Sequence, residues 1–242
     1  TINIKPNAKK IFKYLSTSYR YLDMDEETFF DKIYHIPKAS YTIIDSDFTM
    51  KSKKYWELKN FNTYVKSDNE IIDEFRELLI DSVRLRLRSD VPVGCFLSGG
   101  MDSTSITSIA YKILNNPIKT FSGITGEEKG VYDESEYIDE VINDVNADSK
   151  YIKADPTNIF DTIDEMLDYH DEPVCTVSWY GLYLIVKNMK DEGVPVVLNG
   201  HGGDELLSGY WYHYQYNFFD LKNENSLDYE ISSWHKNHNR NL

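Results

Sequence analysis

Two short apolar runs, each ending in a glycine cluster, constrain this chain more than any other feature. Val93-Gly94-Cys95-Phe96-Leu97 runs into Ser98-Gly99-Gly100-Met101-Asp102-Ser103. Val194-Pro195-Val196-Val197-Leu198 runs into Asn199-Gly200-His201-Gly202-Gly203-Asp204-Glu205. An apolar run without alternation suits a strand buried on both faces, and such strands belong to parallel sheets. Helical periodicity fills the intervals. Ser67-Asp68-Asn69-Glu70 is a capping box that opens a helix with the stripe Ile71, Phe75, Leu78, Leu79 and Val83. A helix is expected over 102–114 (Ile106, Ile109, Ala110, Ile113), stopped by Asn115-Asn116-Pro117. A strand near 118–124, a helix near 134–146 and a strand near 149–153 follow. Asp155-Pro156 opens a helix carrying Ile159, Phe160, Ile163, Met166 and Leu167, and a helix over 178–192 ends at Gly193. The fold class is therefore α/β, a parallel, doubly wound sheet with helices on both faces. Such folds bind ligands outside the carboxyl ends of their strands, where both glycine clusters fall.

Residues 1–66 read differently. An amphipathic piece (Ile11, Phe12, Leu15) precedes a turn-rich passage with hairpin alternation in Tyr41-Thr42-Ile43-Ile44-Asp45, and Trp56 stands in Lys54-Tyr55-Trp56-Glu57-Leu58. Apolar residues are too few there for an independent core. The expected division is 1–66 and 67–242.

Charge removes several classes of function. The chain of 242 residues holds 26 Lys+Arg against 40 Asp+Glu, a formal net charge of −14. Such a chain repels the phosphate backbone of nucleic acids and an anionic membrane surface alike. Cys95 and Cys175 cannot build a disulfide framework, and no apolar run approaches the ~18 residues that span a bilayer. Without a signal peptide at its start, the chain is expected in the cytoplasm.

The cluster 98–103 lies between a buried strand and a helix start, where backbone N–H groups and the helix dipole favour an anion. Ser98 and Ser103 add hydroxyl donors. A carboxylate beside a phosphate site repels the ligand unless a divalent cation stands between them, so Asp102 is assigned to Mg²⁺. The plainer reading is a glycine turn with Asp102 as a helix cap. Neither a Walker motif nor Gly-x-Gly-x-x-Gly after a strand occurs. In the second cluster, Asp204 is a second carboxylate for the same ion; the plainer reading puts Asp204 and Glu205 at a helix N-terminus.

The hexapeptide 98–103 matches the Ser-Gly-Gly-x-Asp-Ser loop of the N-type ATP pyrophosphatases, which cleave ATP between the α and β phosphates. More narrowly, the chain resembles the synthetase domain of the asparagine synthetase B family. The residues that carry the resemblance are that loop, the segment 200–210, Asp171-Glu172-Pro173, Ser89-Asp90-Val91-Pro92-Val93-Gly94 and Tyr132-Asp133-Glu134-Ser135. Residues 1–66, with Tyr34-His35-Ile36-Pro37 and Tyr55-Trp56, look like the end of the family's N-terminal α+β glutaminase domain.

The resemblance implies an adenine nucleotide alpha hydrolase-like fold and an ATP-dependent, amide-forming synthetase. It implies that Leu97 and the strand around Gly123 contact adenosine, while Asn199 and Gly200 close over the nucleotide. Ser98, Gly99, Gly100 and Ser103 would hold the β and γ phosphates, and Asp102 and Asp204 would bind Mg²⁺. His201, Asp204 and Glu205 form the implied catalytic set. A carboxylate, aspartate above all, would become an acyl-adenylate, and ammonia from glutamine would then displace AMP. A homodimer is the implied assembly.

Departures from the family pattern matter. His201 stands where Glu, Asp or Gln is usual, and is either a base for the amine or a hydrogen-bonding spacer. Gly123 replaces a common β-branched residue, which leaves Ile124 to form the adenine wall. The chain is expected to be truncated at both ends. Thr1 lacks the context of a glutaminase nucleophile, and Lys222 and Lys236 stand in for a catalytic lysine without motif support. Related synthetases that use an internal amine, of the β-lactam synthetase or lasso-peptide cyclase type, remain open, as does a catalytically silent ATP-binding piece. Cys95 and Cys175 read as packing residues, and His170 as a helix end. The run Tyr210-Trp211-Tyr212-His213-Tyr214-Gln215-Tyr216 reads either as a stacking surface for a nucleobase or as a buried packing helix; its lack of basic neighbours favours packing.

Overall fold

The fold is taken from a computed structural model that describes residues 4–17, 26–57, 66–124, 133–170, 172–174, 176–223 and 225–237. Thr1, Leu58, Tyr132, Asp171 and Cys175, named above, lie outside the described residues. In chain order the elements are α1 (Ala8–Thr17), β1 (Ser40–Ile44), β2 (Met50–Lys54), α2 (Asp68–Arg86) and β3 (Val93–Phe96). There follow α3 (Met101–Ser108), β4 (Lys119–Ile124), α4 (Ser135–Val145), β5 (Ser149–Lys153) and α5 (Ile159–His170). The series closes with α6 (Ser178–Asp191), β6 (Val196–Leu198), α7 (Gly203–Leu207), α8 (Trp211–Asp220) and α9 (Leu227–Asn237).

Contacts divide the chain into two units, one of Thr1–Phe75 with Asp155–Tyr183 and one of Arg76–Ala154 with Leu184–Leu242. In the first, β1 and β2 form the expected antiparallel hairpin, with Ser40 opposite Lys54. Asp155 caps the turn before α5 by accepting from the Thr157 N–H at 2.9 Å. His170 ends α5 with its ring edge-on to Trp179, centroids 4.9 Å apart.

The second unit holds a four-stranded parallel sheet in the order β5-β4-β3-β6. The chain steps outward from β3 to β4 and β5, then returns to lay β6 on the other side of β3. The two sheet faces read directly from the alternation in β3. Cys95, on one face, packs with Ala110 and Ile118 against Ile106, Tyr111 and Leu198. Phe96, on the other, joins Phe121, Met189, Val194 and Ile185. One face is thus covered from α3 and the turn after it, the other from α6, as a doubly wound sheet requires. Cys95 is fully buried beneath this layer, and burial pushes its thiol up to about 11.

Three helices differ from expectation. The helix expected over 102–114 spans that stretch, but its last part, Ile109–Ile113, is a π-turn in which Leu114 N–H reaches the Ile109 carbonyl at 2.9 Å. A wider turn of this kind carries no periodicity signal. The stripe of α2 buries Val83 while Leu78 is 63% exposed. In α8, Trp211 turns to Trp234 of α9, centroids 4.9 Å apart, while Tyr212 and Tyr216 face outward. The expectation of a buried aromatic helix is corrected accordingly: with one ring row committed to α9, the 3.6-residue period carries the other row to solvent.

Candidate active site at the carboxyl edge of the sheet

Because β3 and β6 are parallel neighbours, the loops that leave them emerge side by side at the topological switch point. The first loop is held by its own hydroxyls. Ser98 N–H donates to Ser103 Oγ at 3.1 Å, and the two serine hydroxyls lie 3.0 Å apart. Gly100 N–H donates to Ser98 Oγ at 3.3 Å, and Ser103 Oγ donates to the Gly100 carbonyl at 3.2 Å. The residues expected to hold phosphates thus form one compact turn that runs into the first turn of α3.

Leu97 is different. Its side chain is 1% exposed, its N–H donates to the Phe121 carbonyl, and its carbonyl accepts the Ser122 hydroxyl at 2.6 Å. It forms the floor beneath the loop. Gly123 lies beyond it on β4 with Ile185 beside it, where a β-carbon would approach the Ile185 side chain to 3.1 Å. On the opposite side, Tyr137 and the Glu134 carbonyl of the α4 entrance pack on Gly99. Asp133 caps that entrance by accepting from the Ser135 N–H at 3.0 Å, and burial raises the Glu134 carboxyl above its ordinary value.

The second loop meets the first at Asp102. A β-carbon on Gly203 would overlap the Asp102 carboxylate, so the absence of a side chain at Gly203 is what lets that carboxylate lie against the second loop. Asn199 Oδ1 accepts the His201 N–H at 3.1 Å and shapes the turn, leaving His201 exposed. Asp204 and Glu205 open α7. Burial, then the charges of Asp204 and Glu205, push the Asp102 carboxyl above its ordinary value. Glu205 is held below its ordinary value, chiefly by the Tyr210 hydroxyl, which donates to it at 2.9 Å; His201 contributes to the same shift. The pairing pushes the Tyr210 phenol up to about 12.

A carboxyl whose proton affinity is raised by burial and by neighbouring acids is a place suited to a cation. Among the described residues no group of three or more His, Cys, Asp or Glu is arranged to hold a metal ion by itself. Mg²⁺ takes one or two carboxylates and completes its shell with phosphate oxygens and water. Asp102, whose carboxylate lies against Gly203, and Asp204, whose charge reaches it, are the two carboxylates that would hold such an ion. The structure brings together Ser98, Gly99, Gly100, Asp102, Ser103, Gly200, Asp204 and Glu205, with His201 within electrostatic reach of Glu205. Lys222 instead lies over the Phe219 ring at 4.4 Å, and Lys236 stands in the last turn of α9. Sequence reasoning missed the Ser122 link to Leu97 and the Tyr210 link to Glu205. Both depend on through-space approach, for which spacing along the chain gives no signal.

The family model described as asparagine synthase matches residues 74–240. A protein of Methanocaldococcus jannaschii, provisionally named glutamine-hydrolysing asparagine synthetase 2, is 36% identical over 160 residues, covering 66% of this chain and 30% of its own. Glutamine-hydrolysing asparagine synthetase 1 of Bacillus subtilis is 33% identical over 175 residues, 72% of this chain and 27% of its own. A Gibberella zeae protein named amidase chry2 is 26% identical over 203 residues, 77% of this chain and 30% of its own. The chain thus spans less than a third of the length of these relatives.

Proposed function

The chain belongs to the asparagine synthase family, and from that premise we propose that it carries the ATP-dependent synthetase activity that forms an amide from a carboxylate. The single observation that carries the reading is the meeting of two loops from adjacent parallel strands, with Asp102 against Gly203 and the serine-bonded turn 98–103 beside it.

In this reading Ser98, Gly99, Gly100 and Ser103 hold the β and γ phosphates of ATP. Asn199 and Gly200 close over the nucleotide, and the adenosine lies toward Gly123 and Ile124 above Leu97. Asp102 and Asp204 hold Mg²⁺, which neutralises charge on the leaving pyrophosphate when bound. An oxygen of the substrate carboxylate, aspartate in the leading version, attacks the α phosphorus. The bond to the bridging oxygen breaks and its electron pair leaves with pyrophosphate. Ammonia then attacks the acyl carbon, the bond to AMP breaks, and His201 takes the released proton. The turn 98–103 serves by fixed orientation: its donors are aimed before charge develops, which is where such groups contribute most. Residues 1–66 as the end of a glutaminase domain, 67–242 as the synthetase domain, glutamine as the ammonia source, a homodimer and a cytoplasmic setting belong to the same proposal.

Exchange of labelled pyrophosphate into ATP, dependent on an added acid, tests this directly. Asp102→Asn is expected to lower exchange by about a hundredfold or more, the scale of losing one preorganised electrostatic group. Exchange unchanged in Asp102→Asn would remove the assignment. His201 favours a second reading, since the family pattern usually has an acid or Gln there: the same activation followed by attack of an internal or peptide amine. Exchange with a peptide but none with aspartate would select it. Nucleotide binding without AMP or pyrophosphate from any acid would leave a binding module.

A further inference from the structure

The chain after α7 folds back onto the first turn of that helix. Ser208 takes a left-handed backbone, φ 62°, and the Gly209 N–H donates to the Asp204 carbonyl at 3.1 Å. Gly209 comes so close that a β-carbon there would overlap the Asp204 carboxylate. Tyr210 follows as the N-cap residue of α8, and its hydroxyl donates to Glu205 Oε1 at 2.9 Å. Its ring stacks on Tyr212, centroids 5.3 Å apart and 22° from coplanar. The phenol is therefore aimed by α8 rather than by Glu205.

We propose that Tyr210 is a positioning residue that holds Glu205 away from Asp102 and Asp204, so that the site takes a divalent cation only together with nucleotide phosphates. The inference rests on the proposed function for the identity of the nucleotide. Glu205 neighbours Asp204 in sequence, and its charge is already felt at Asp102. Its Oε1 is committed to Tyr210, and among the described residues the three acids do not form a metal-holding group of three. The number of carboxylates sets how tightly an oxygen site holds a bare divalent ion, whereas Mg²⁺ bound through two acids is held more firmly when phosphate oxygens replace some of its waters. The tyrosine hydroxyl thereby makes metal uptake conditional on nucleotide.

The test uses the 242-residue chain with Mn²⁺ as probe, read by electron paramagnetic resonance with and without α,β-methylene-ATP. Tyr210→Phe keeps the ring and its stacking but frees Glu205. It is expected to bind Mn²⁺ without nucleotide about tenfold more tightly than wild type, because a third carboxylate joins the pair. Adding Glu205→Gln should return binding to the wild-type value, a rescue that a merely structural role for Tyr210 would not give. Equal nucleotide-free binding by Tyr210→Phe and wild type overturns the inference, as does a gain that survives Glu205→Gln. A wild-type chain whose Mn²⁺ binding is indifferent to the nucleotide counts instead against the proposed function, while the nucleotide-free comparison still decides the role of Tyr210.

Discussion

Gly200 and Gly203 both face Asp102, but they meet different parts of it. A β-carbon on Gly203 would meet the carboxylate, the free end of a side chain that can rotate away. One on Gly200 would meet Asp102 Cβ at 2.7 Å and Ser103 N at 3.0 Å, which are fixed by α3. Gly203→Ala is therefore expected to keep its melting temperature and lose nucleotide-dependent Mn²⁺ binding as the carboxylate is displaced. Gly200→Ala is expected to lose stability first, by about 1–3 kcal/mol, the usual cost of overpacking. Thermal melts paired with Mn²⁺ titrations check both; a Gly203→Ala chain that binds like wild type would show that the Asp102 direction does not matter. At this scale the nearness of the two glycine loops was legible in the sequence, because both follow buried strands, and the structure brings Gly200 and Gly203 against Asp102. The Tyr210–Glu205 bond was not, because it depends on the left-handed backbone of Ser208, a residue whose type gives no hint of it.

Element by element, local chemistry fixes the ends of helices better than it fixes their faces. The capping box at the start of α2 forms as spacing suggested: Ser67 N–H donates to Glu70 Oε2 at 2.9 Å and Glu70 N–H returns to Ser67 Oγ at 3.4 Å. Ser67→Ala removes the hydroxyl and should cost about 1 kcal/mol, seen as a lower urea midpoint with unchanged slope. Gly193 ends α6 in a left-handed conformation as its position implied. The faces of α2 and α8 were less legible, because an apolar stripe states which side is available for burial and not how much of it is covered. The π-turn at Ile109–Ile113 was invisible for a related reason: it keeps Ile109 and Ala110 buried, so the pattern survives while the hydrogen bonding changes.

Two strands of the sheet are tied at their starting edge by one carboxylate. Glu192, just after α6, accepts hydrogen bonds from Lys119 of β4 and Lys150 of β5. The two ammonium groups hold its carboxyl at about 2, against an ordinary value of 4.5. A folded-state value below the unfolded one favours the fold above the unfolded value, and this contribution fades as pH falls from about 4.5 to about 2. Glu192→Gln should therefore melt below wild type at pH 7, with the gap closing across that window; a gap independent of pH would mean the ammonium groups contribute nothing. The excess of acids behind the net charge of −14 does not oppose nucleotide binding in the proposed site, where the loops supply donors locally. The parallel sheet was legible because buried parallel strands need no alternation, and both glycine clusters marked the edge that matters.

The pairing of β3 with β6 also sets an order of events for the growing chain. Asp102 and Asp204 are separated by about a hundred residues, and the contact that unites their loops is among the most distant in the fold. β3, β4 and β5 follow one another along the chain, whereas β6, which comes after all three and after α6, must find its place beside β3. Joining of the two loops is thus a late acquisition in folding: a nascent chain that has not yet delivered β6 to β3 has Asp102 at that edge of the sheet but neither Asp204 nor Glu205.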